Sequence, residues 1–429
     1  MRILLISYYF PPHNIVAAVR TGKTAKYLWQ HGHEVRVLTA QRLPFAANLP
    51  LEIPPDAVIR TRRIDTCWLS SQVQRMRQQA AFVQTVAQQA QTRQMRWLRQ
   101  MMIAYRTLCA FPDEAIGWHP FALAAARRLW QRWQPDVLLA SSAPPTTLLL
   151  AHALHRQYGV PWVGELRDLW TDNHYYPFPL WRKALDAWLE RRILQSAAGL
   201  VTVSAPLAQT LEWRSGKPVG VVLNGFDPGD YPPQRLPASG GILHIVYTGV
   251  VYPDHQSAAP LFAALRHLGE RAERVRVSFY GNGAGYALAE AQDQGVEQMV
   301  VCHGPVPYAD ALAQQRAADV LLLLLWNDPR ERGVYTGKLF EYLGARRPIL
   351  AIGPADNVAA ALIRERQAGI VSSDPAEIAN HLARWLEAKE RGADIPDLPA
   401  SVAAGLSREE QTRRLERFLE RFVGVASIE

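Results

Sequence analysis

Cysteine is scarce in this sequence of 429 residues, and long apolar runs are absent. The three cysteines are Cys67, Cys109 and Cys302. Their spacing fits neither a metal site nor a disulfide framework, which favours a reducing compartment. The first apolar run, at residues 1–7, is too short for a signal peptide, and the run at 321–325 is too short to cross a bilayer. We therefore expect a cytoplasmic protein without a structural metal or a membrane-spanning helix.

Acidic residues are missing from one stretch, residues 67–112, which also interrupts the strand pattern described below. Its arginines alternate with aromatic residues and methionines: Arg75, Arg77, Arg93, Arg96, Arg99 and Arg106. Two interpretations remain open. The stretch is either a set of basic amphipathic helices lying on an anionic membrane surface, or a helical hairpin packed on its own domain with its arginines in water.

The net charge of +8 and the pI near 9.5 allow phosphorylated ligands, anionic lipid or nucleic acid as partners. No recognised nucleic-acid motif accompanies the charge, so we do not expect nucleic acid to bind. A chain of this length is too long for a single core, whereas 48% hydrophobic and 20% charged residues are typical of folded protein. We expect two domains.

Apolar segments of strand length alternate with helical patterns in two series. The first covers residues 2–7, 34–39, 58–62, 136–141, 162–166, 200–204 and 220–223. The second covers residues 243–248, 276–280, 300–303, 320–326, 349–352 and 370–372. The sequence thus predicts an α/β protein with two doubly wound parallel sheets facing a cleft. The predicted parts are a domain at 1–225 with the basic insertion, a linker at 226–241, a domain at 242–405 and a C-terminal helix at 406–429.

Ligands of such sheets lie beyond the carboxyl ends of the strands, so the strand-to-helix loops are the places to search. After the first strand, Pro12 and His13 could shape an acceptor pocket. Arg20, near the start of the following helix, could reach a phosphate or could simply be solvated.

A buried strand at 162–166 leads into a loop rich in charged and aromatic residues. Aromatic faces stack on sugar rings, and a carboxylate such as Asp168 can orient or deprotonate an attacking hydroxyl. Arg167, Asp172 and His174 lie beside it in the sequence. The structural alternative is an ion pair between Arg167 and Asp168 with ordinary aromatic packing.

In the second half, Gly249 ends the first strand, and Gly281-Asn282-Gly283 follow the second. These glycines could let a nucleotide sugar approach the backbone. No acidic residue ends the next strand, which argues against a nicotinamide site, and His303 stands there instead. His303 would then border the base of the nucleotide.

The stretch at 335–348 reads as the start of a short helix. Thr336 can cap the first turn and Gly337 permits close approach, while the backbone N–H groups up to Leu339 face a diphosphate. Lys338 and Glu341 are three residues apart and project from one side. We expect the ammonium to bind the diphosphate and the carboxylate to bind sugar hydroxyls. An ordinary amphipathic helix, with the two side chains paired in solvent, is the alternative.

Taken together, these motifs resemble the retaining glycosyltransferases of the GT-B fold, close to the bacterial family-4 enzymes that build capsules, exopolysaccharides and O-antigens. The resemblance is carried by Tyr9-Phe10-Pro11-Pro12, His31-Gly32-His33-Glu34-Val35, Arg167-Asp168-Leu169-Trp170-Thr171-Asp172, Asn224-Gly225-Phe226-Asp227 and Lys338-Leu339-Phe340-Glu341-Tyr342-Leu343. It implies that Glu341 holds the donor ribose and that the adjoining helix start takes the diphosphate.

The chain departs from the family pattern at two places. The first of two motif glutamates falls on Gly333, with Glu331 two positions earlier, and the usual arginine and lysine are missing after Gly249. Lys338 and Arg332 would have to supply the positive charge. The sequence has no Asp-x-Asp pair, the metal-clamping signature of the other major glycosyltransferase fold, so we expect neither a metal nor another cofactor.

The resemblance also implies transfer with retention of anomeric configuration, by same-face attack of an acceptor hydroxyl. Asp168 is the residue we expect to orient the acceptor, with Asp172 and His174 behind it. The expected partners are a nucleotide sugar and a glycan or lipid-linked acceptor, at the inner membrane surface if the basic insertion binds lipid. The alternatives are a nucleotide-sugar epimerase, which needs no acceptor, and a catalytically silent membrane-associated scaffold, which binds no nucleotide.

Overall fold

The computed structural model describes residues 1–66, 101, 104, 105, 107–173, 176–232 and 241–424. Most of the predicted basic insertion, His174 and the linker residues 233–240 lie outside these ranges. The chain forms two compact units. The first contains residues 1–222 together with the chain from Arg414 onward, and the second contains Leu223–Arg413.

The first unit is built on a seven-stranded parallel sheet with the order β3-β2-β1-β4-β5-β6-β7. Its strands are β1 (Arg2–Ser7), β2 (Glu34–Ala40), β3 (Val58–Thr61), β4 (Val137–Ser142), β5 (Trp162–Leu166), β6 (Gly199–Thr202) and β7 (Val219–Val221). Its helices are α1 (Val16–Gln30), α2 (His119–Trp130), α3 (Thr146–Tyr158), α4 (Leu180–Leu194) and α5 (Ala205–Ser215).

The second unit has a six-stranded parallel sheet with the order β10-β9-β8-β11-β12-β13. Its strands are β8 (Leu243–Thr248), β9 (Val275–Tyr280), β10 (Val300–Gly304), β11 (Val320–Leu324), β12 (Ile349–Ile352) and β13 (Gly369–Val371). Its helices are α6 (Ala259–Leu268), α7 (Ala284–Asp293), α8 (Tyr308–Ala317), α9 (Gly337–Ala345), α10 (Val358–Glu365) and α11 (Pro375–Glu390). A last helix, α12 (Arg408–Glu420), follows.

Both sheets have apolar cores on both faces, which is why their central strands are continuous apolar runs. In β1, Ile3 and Leu5 enter one core while Leu4 and Ile6 enter the core on the opposite side. In β11, neighbouring leucines alternate between two cores in the same way. The predicted architecture of two doubly wound parallel sheets is confirmed.

The chain passes between the units after Val222 and again within α12. Leu415, Phe418 and Leu419 of this helix belong to the core of the first unit. A Cβ atom on Gly199 would lie 2.9 Å from the Phe418 ring, so the absence of a side chain there lets the helix pack closely. Among the described residues, no helix has both the length and the apolarity needed to cross a membrane.

Candidate functional site

Each sheet reverses its strand order at one point, between β1 and β4 in the first unit and between β8 and β11 in the second. In open parallel sheets, the loops beyond the carboxyl ends of the strands at such a point form the ligand crevice.

Helix α9 begins at the switch point of the second unit. Thr336 occupies its N-cap position with an extended backbone, but its hydroxyl makes no capping hydrogen bond. The predicted side-chain cap is therefore wrong, although the helix starts where the sequence placed it. The side chain of Leu339 is fully buried in the core, and its backbone N–H donates to the Thr336 carbonyl at 3.3 Å. The first turn keeps the positive end of the helix dipole.

The Lys338 ammonium is held by uncharged groups. Its Nζ donates to the Tyr247 hydroxyl at 2.8 Å and to the Val250 carbonyl at 3.4 Å, and it lies 4.7 Å from the centre of the Tyr247 ring. Within the described ranges no carboxylate forms an ion pair with it. Burial lowers the pKa of Lys338 to about 8, although Glu341 opposes the shift. The predicted alternative, a solvated pair between Lys338 and Glu341, is thus not what forms.

Glu341 is likewise surrounded by uncharged donors. The Gln315 amide donates to its Oε2 at 3.0 Å, and the Tyr308 hydroxyl lies 3.4 Å from its Oε1. Gln315 also donates to the Thr248 hydroxyl at 2.9 Å. Burial raises the pKa of the Glu341 carboxyl, against hydrogen bonding from Gln315 and the charges of Arg408 and Lys338. The carboxylate therefore retains acceptor capacity for a ligand.

The glycines at this edge let backbone segments approach each other. A Cβ atom on Gly281 would lie 2.2 Å from the Gly249 carbonyl, and one on Gly283 would lie 2.3 Å from the Val251 carbonyl. One on Gly249, whose φ is +111°, would lie 2.3 Å from Cε of Lys338. Of these three glycines, Gly249 is the one whose missing side chain leaves room for Lys338. Their direct contact with a nucleotide stays a prediction, as does that of Asn282.

His303 is exposed and stacks on Tyr280, with ring centroids 4.3 Å apart. A role for His303 in bordering the base of a nucleotide stays a prediction. Arg332, in contrast, forms an exposed ion pair with Asp356 at 2.9 Å. Glu331 is buried, and its backbone carbonyl accepts from Asn357 at 3.2 Å.

In the first unit, Arg20 is buried and bonded to Glu165. Its Nε and Nη2 atoms both donate to Glu165 Oε1, at 2.9 and 2.8 Å, and Nη2 also donates to the Val222 carbonyl. Ser141 donates to the other carboxylate oxygen at 2.5 Å. Burial raises the pKa of Glu165, but Arg20 and Arg167 hold it below its usual value. Arg20 is only 2% exposed, so the predicted phosphate contact is replaced by this buried ion pair.

Arg167 and Asp168 do not form the local ion pair that was the structural alternative. The Arg167 guanidinium donates to the carbonyls of Ser142 and Ala143, at 2.9 and 3.2 Å. Asp168 is exposed, and no hydrogen bond or ion pair from the described part of the chain reaches its carboxylate. Asp168 is therefore free to accept a bond from a ligand.

Asp172 is occupied by an ion pair with Arg214 of α5, at 2.5 Å. Thr171 beside it donates to the buried Glu190 of α4. This arrangement fixes the loop onto α4 and α5. Asp172 therefore has a structural partner, and His174 lies outside the described residues.

A cavity of about 500 Å³ opens at the switch point of the first unit, lined by Tyr9, Phe45, Arg63 and Asp113 among others. Asp113 accepts from the backbone N–H of Thr146 at 2.6 Å and from that of Ala115 at 2.7 Å. Burial raises the pKa of its carboxyl to about 6. A carboxylate that titrates near neutrality in a polar and aromatic cavity is a candidate proton acceptor.

Pro12 and His13 do not line this cavity. The Pro12 carbonyl accepts from Leu49 at 3.0 Å, and His13 pairs with Ala47 through the backbone. The His13 side chain is 7% exposed, so it packs under the loop after β2 and is not a surface for an acceptor.

Several polar residues of both sites were not predicted: Tyr247, Gln315, Tyr308 and Asp113. Asp113 had a signal in the sequence, because it is the first acidic residue after the long acid-free stretch. The other three come from a strand and a helix far from α9 in sequence, and nothing local marks them.

Two family profiles match the chain. The Glycosyl transferase 4-like domain matches residues 17–226, and the Glycosyl transferases group 1 domain matches residues 243–388. No curated protein matches the chain in sequence.

Several solved structures share the fold of the chain at low sequence identity. A sucrose-phosphate synthase from Thermosynechococcus elongatus has 13% identity and a TM-score of 0.62, with 98% of each chain covered. The Anabaena protein HepE in complex with UDP has 14% identity and a TM-score of 0.60, covering 98% of this chain and 100% of its own. WaaG, a glycosyltransferase involved in lipopolysaccharide biosynthesis, has 12% identity and a TM-score of 0.53, with 98% and 100% covered. At these identities the likeness establishes the fold.

Proposed function

We propose that this chain, which belongs to the glycosyltransferases of the GT-B fold, transfers sugar from a nucleoside diphosphate sugar to a hydroxyl of a glycan or lipid-linked acceptor. Its two family domains are a glycosyl transferase 4-like domain followed by a glycosyl transferases group 1 domain. The reaction proceeds with retention of anomeric configuration. It serves the synthesis of a cell-surface polysaccharide, a role supported by the likeness to WaaG.

The observation that carries the proposal is the state of Lys338 and Glu341. Both ionisable side chains lie at the start of a helix, three residues apart, and both are held by uncharged groups. A bound diphosphate would supply a negatively charged partner for the Lys338 ammonium, and the positive end of the helix dipole would add to the attraction. Ribose hydroxyls would donate the further hydrogen bonds that the Glu341 carboxylate can still accept.

Breaking the bond between sugar and phosphate leaves negative charge on the nucleoside diphosphate. Lys338 and the N–H groups of the first turn of α9 stabilise that charge, so the leaving group departs without a protein nucleophile. The departing phosphate then accepts the proton of the attacking hydroxyl on the same face of the sugar.

The acceptor binds in the first unit, in the cavity lined by Tyr9 and Asp113. Two carboxylates are candidates for orienting its hydroxyl: the exposed Asp168, and Asp113, whose pKa burial raises to about 6. They are separable, because an acid with a pKa of about 6 imposes a pH dependence on the rate that an exposed aspartate does not. Loss of the dependence near pH 6 in Asp113→Asn, but not in Asp168→Asn, would identify Asp113.

The donor is tested by calorimetric titration of the protein with UDP, GDP, ADP and dTDP. UDP is the first candidate, because HepE is described in complex with UDP and with UDP-glucose. We expect one nucleotide to bind in preference to the others, and Lys338→Ala to weaken that binding. Failure of all four to bind would contradict the proposal and favour a catalytically silent scaffold.

Three further measurements separate the remaining alternatives. An epimerase would convert the donor sugar in the absence of acceptor, whereas a transferase needs one, and the anomeric configuration of the product reports retention directly. Flotation with lipid, with and without residues 67–112, tests whether the basic stretch holds the enzyme at the inner membrane surface.

A further inference from the structure

Helix α4 has its polar and apolar faces inverted. Arg182, Asp186 and Glu190 are spaced by four residues along the inner face, and their exposed fractions are 1%, 0% and 6%. The outer face carries large apolar side chains with high exposure: Leu180 at 85%, Trp181 at 57%, Leu185 at 43% and Trp188 at 56%. An ordinary surface helix shows the opposite arrangement.

The inner charges are bonded, which fixes the rotation of the helix. Arg182 donates to Asp186 at 3.1 Å and to the Ala110 carbonyl at 2.7 Å, and its guanidinium lies 4.5 Å from the centre of the Phe111 ring. The Tyr176 hydroxyl also donates to Asp186. Turning the helix to hide its tryptophans would break this buried network, so the apolar face stays outward.

The charge around the apolar face is positive. Lys183, Arg191 and Arg192 lie on α4, while both acidic residues of the helix are buried beneath it. The Arg192 guanidinium lies 5.5 Å from the centre of the Trp188 ring. Tryptophan beside arginine is suited to the boundary between lipid headgroups and acyl chains, where the ring is half buried and the cation meets phosphate.

The neighbouring helix α5 extends the same surface. Its Trp213 is 85% exposed and lines, together with Arg191, a cavity of about 250 Å³. Glu212 is the exposed acidic residue beside it. Trp213 thus lies beside Arg191 of α4 and adds a further exposed tryptophan to Trp181 and Trp188 of that helix.

We propose that the outer face of α4, with Trp213 of α5, docks this protein on a membrane surface that contains anionic lipid. A second copy of the chain is the less suitable occupant, because a two-fold contact would set the same cations against each other. An anionic bilayer complements the charge and accepts the apolar side chains without needing a matching shape. This inference does not depend on the donor site, and it concerns residues other than the basic stretch 67–112.

The experiment is flotation of the full-length protein with vesicles of equal parts phosphatidylcholine and phosphatidylglycerol. The test variant is Trp181→Ser/Trp188→Ser, and the matched control is Tyr286→Ser, an exposed aromatic of the second unit with the same 56% exposure as Trp188. We expect the wild type and the control to float, and the double variant to partition at least about tenfold less for each side chain removed. Circular dichroism and thermal unfolding should be unchanged, because both tryptophans are exposed.

A second variant, Lys183→Gln/Arg191→Gln/Arg192→Gln, separates charge from apolar contact. Its partitioning should fall roughly fivefold for each cation removed, and salt should weaken the wild type in the same direction. Flotation that is absent from the wild type, or equal in the wild type and the double tryptophan variant, would overturn the proposal. So would sedimentation showing a dimer that dissociates in the tryptophan variant, because a second copy would then cover the face.

The test of lipid binding and the test of nucleotide binding can fail independently of each other. A protein that floats but binds none of the four nucleotides would keep this inference and lose the proposed function. A protein that binds UDP but does not float would do the reverse.

Discussion

The two units share a strand order and a switch point, yet they treat buried charge in opposite ways. In the first unit, Arg20 and Glu165 neutralise each other through two hydrogen bonds. In the second, Lys338 and Glu341 stand at the corresponding edge without an ionic partner among the described residues, and hydroxyl, amide and carbonyl groups hold them.

The pKa shifts follow from this difference. Arg20 and Arg167 keep the pKa of Glu165 low, so the pair stays charged. Burial moves Lys338 and Glu341 the other way, each toward its neutral form. Removing one partner of a buried pair leaves the other charge uncompensated, whereas a charge held by neutral groups is stabilised when a complementary ligand binds. We therefore interpret the ion pair as structural, and we propose the helix start as the binding site.

The largest expected effect comes from breaking the pair in the first unit. Arg20→Leu leaves the Glu165 carboxylate buried without its guanidinium, which should lower the free energy of unfolding by about 3–5 kcal/mol. Thermal unfolding measures it. Arg20→Leu/Glu165→Leu should be more stable than the single variant, and nucleotide affinity in any folded fraction should be unchanged. A stable single variant with weakened nucleotide binding would instead restore the phosphate role of Arg20.

Unlike Arg20→Leu, Lys338→Ala should impair activity and not stability. The rate of sugar transfer should fall on the order of 10²–10³-fold, because the charge that stabilises the leaving diphosphate is lost. Thermal stability should hold or rise, since a half-buried cation without an ionic partner is removed. Tyr247→Phe, which removes the hydroxyl that accepts from Lys338 and donates to the Val250 carbonyl, serves as the control and should cost less. Activity within a few-fold of the wild type in Lys338→Ala would contradict the comparison.

The low pKa of Lys338 predicts a pH dependence of binding. The free protein loses the ammonium proton as pH rises through about 8, and a bound diphosphate raises the pKa again. Nucleotide affinity should therefore be constant below that pH and fall above it, by up to about tenfold per pH unit. Titrations across this range measure it, with Lys338→Arg as a variant that stays charged. An equally steep loss in Lys338→Arg would assign the dependence to another group.

The smallest effect tests how Lys338 is placed. In Gly249→Ala, the new methyl group would overlap Cε of Lys338, and the flexible side chain has to move. Nucleotide affinity should fall several-fold, alongside a cost of about 1–3 kcal/mol in stability from the positive φ. Gly392→Ala has a φ of +73° in open space and should share the strain without the loss of affinity. Equal affinity in both variants would show that Gly249 does not position the lysine.

The fold could be predicted from the sequence because strands buried on both faces are continuous apolar runs, as in Val320–Leu324. Lys338 and Glu341 were found because their spacing lies within a single helical turn. Their partners could not be found, since Tyr247 lies 91 residues before Lys338 and Gln315 lies 26 residues before Glu341. Arg20 was misjudged for a related reason: its carboxylate partner is 145 residues away. Local sequence patterns predict the helices and strands, whereas only the tertiary packing decides whether a charged side chain has an ionic partner.

The division of α12 between the two units bears on how the protein is made. Leu415, Phe418 and Leu419 complete the core of the first unit, but the ribosome synthesises them after all of Leu223–Arg413. The rest of the first unit is therefore synthesised first, with an apolar groove that stays exposed until the C-terminal part of α12 covers it. A nascent chain halted before Arg414 should contain all strands of the second sheet, while the core of the first unit still lacks the α12 side chains. We expect chaperones to bind the exposed apolar surface in this state.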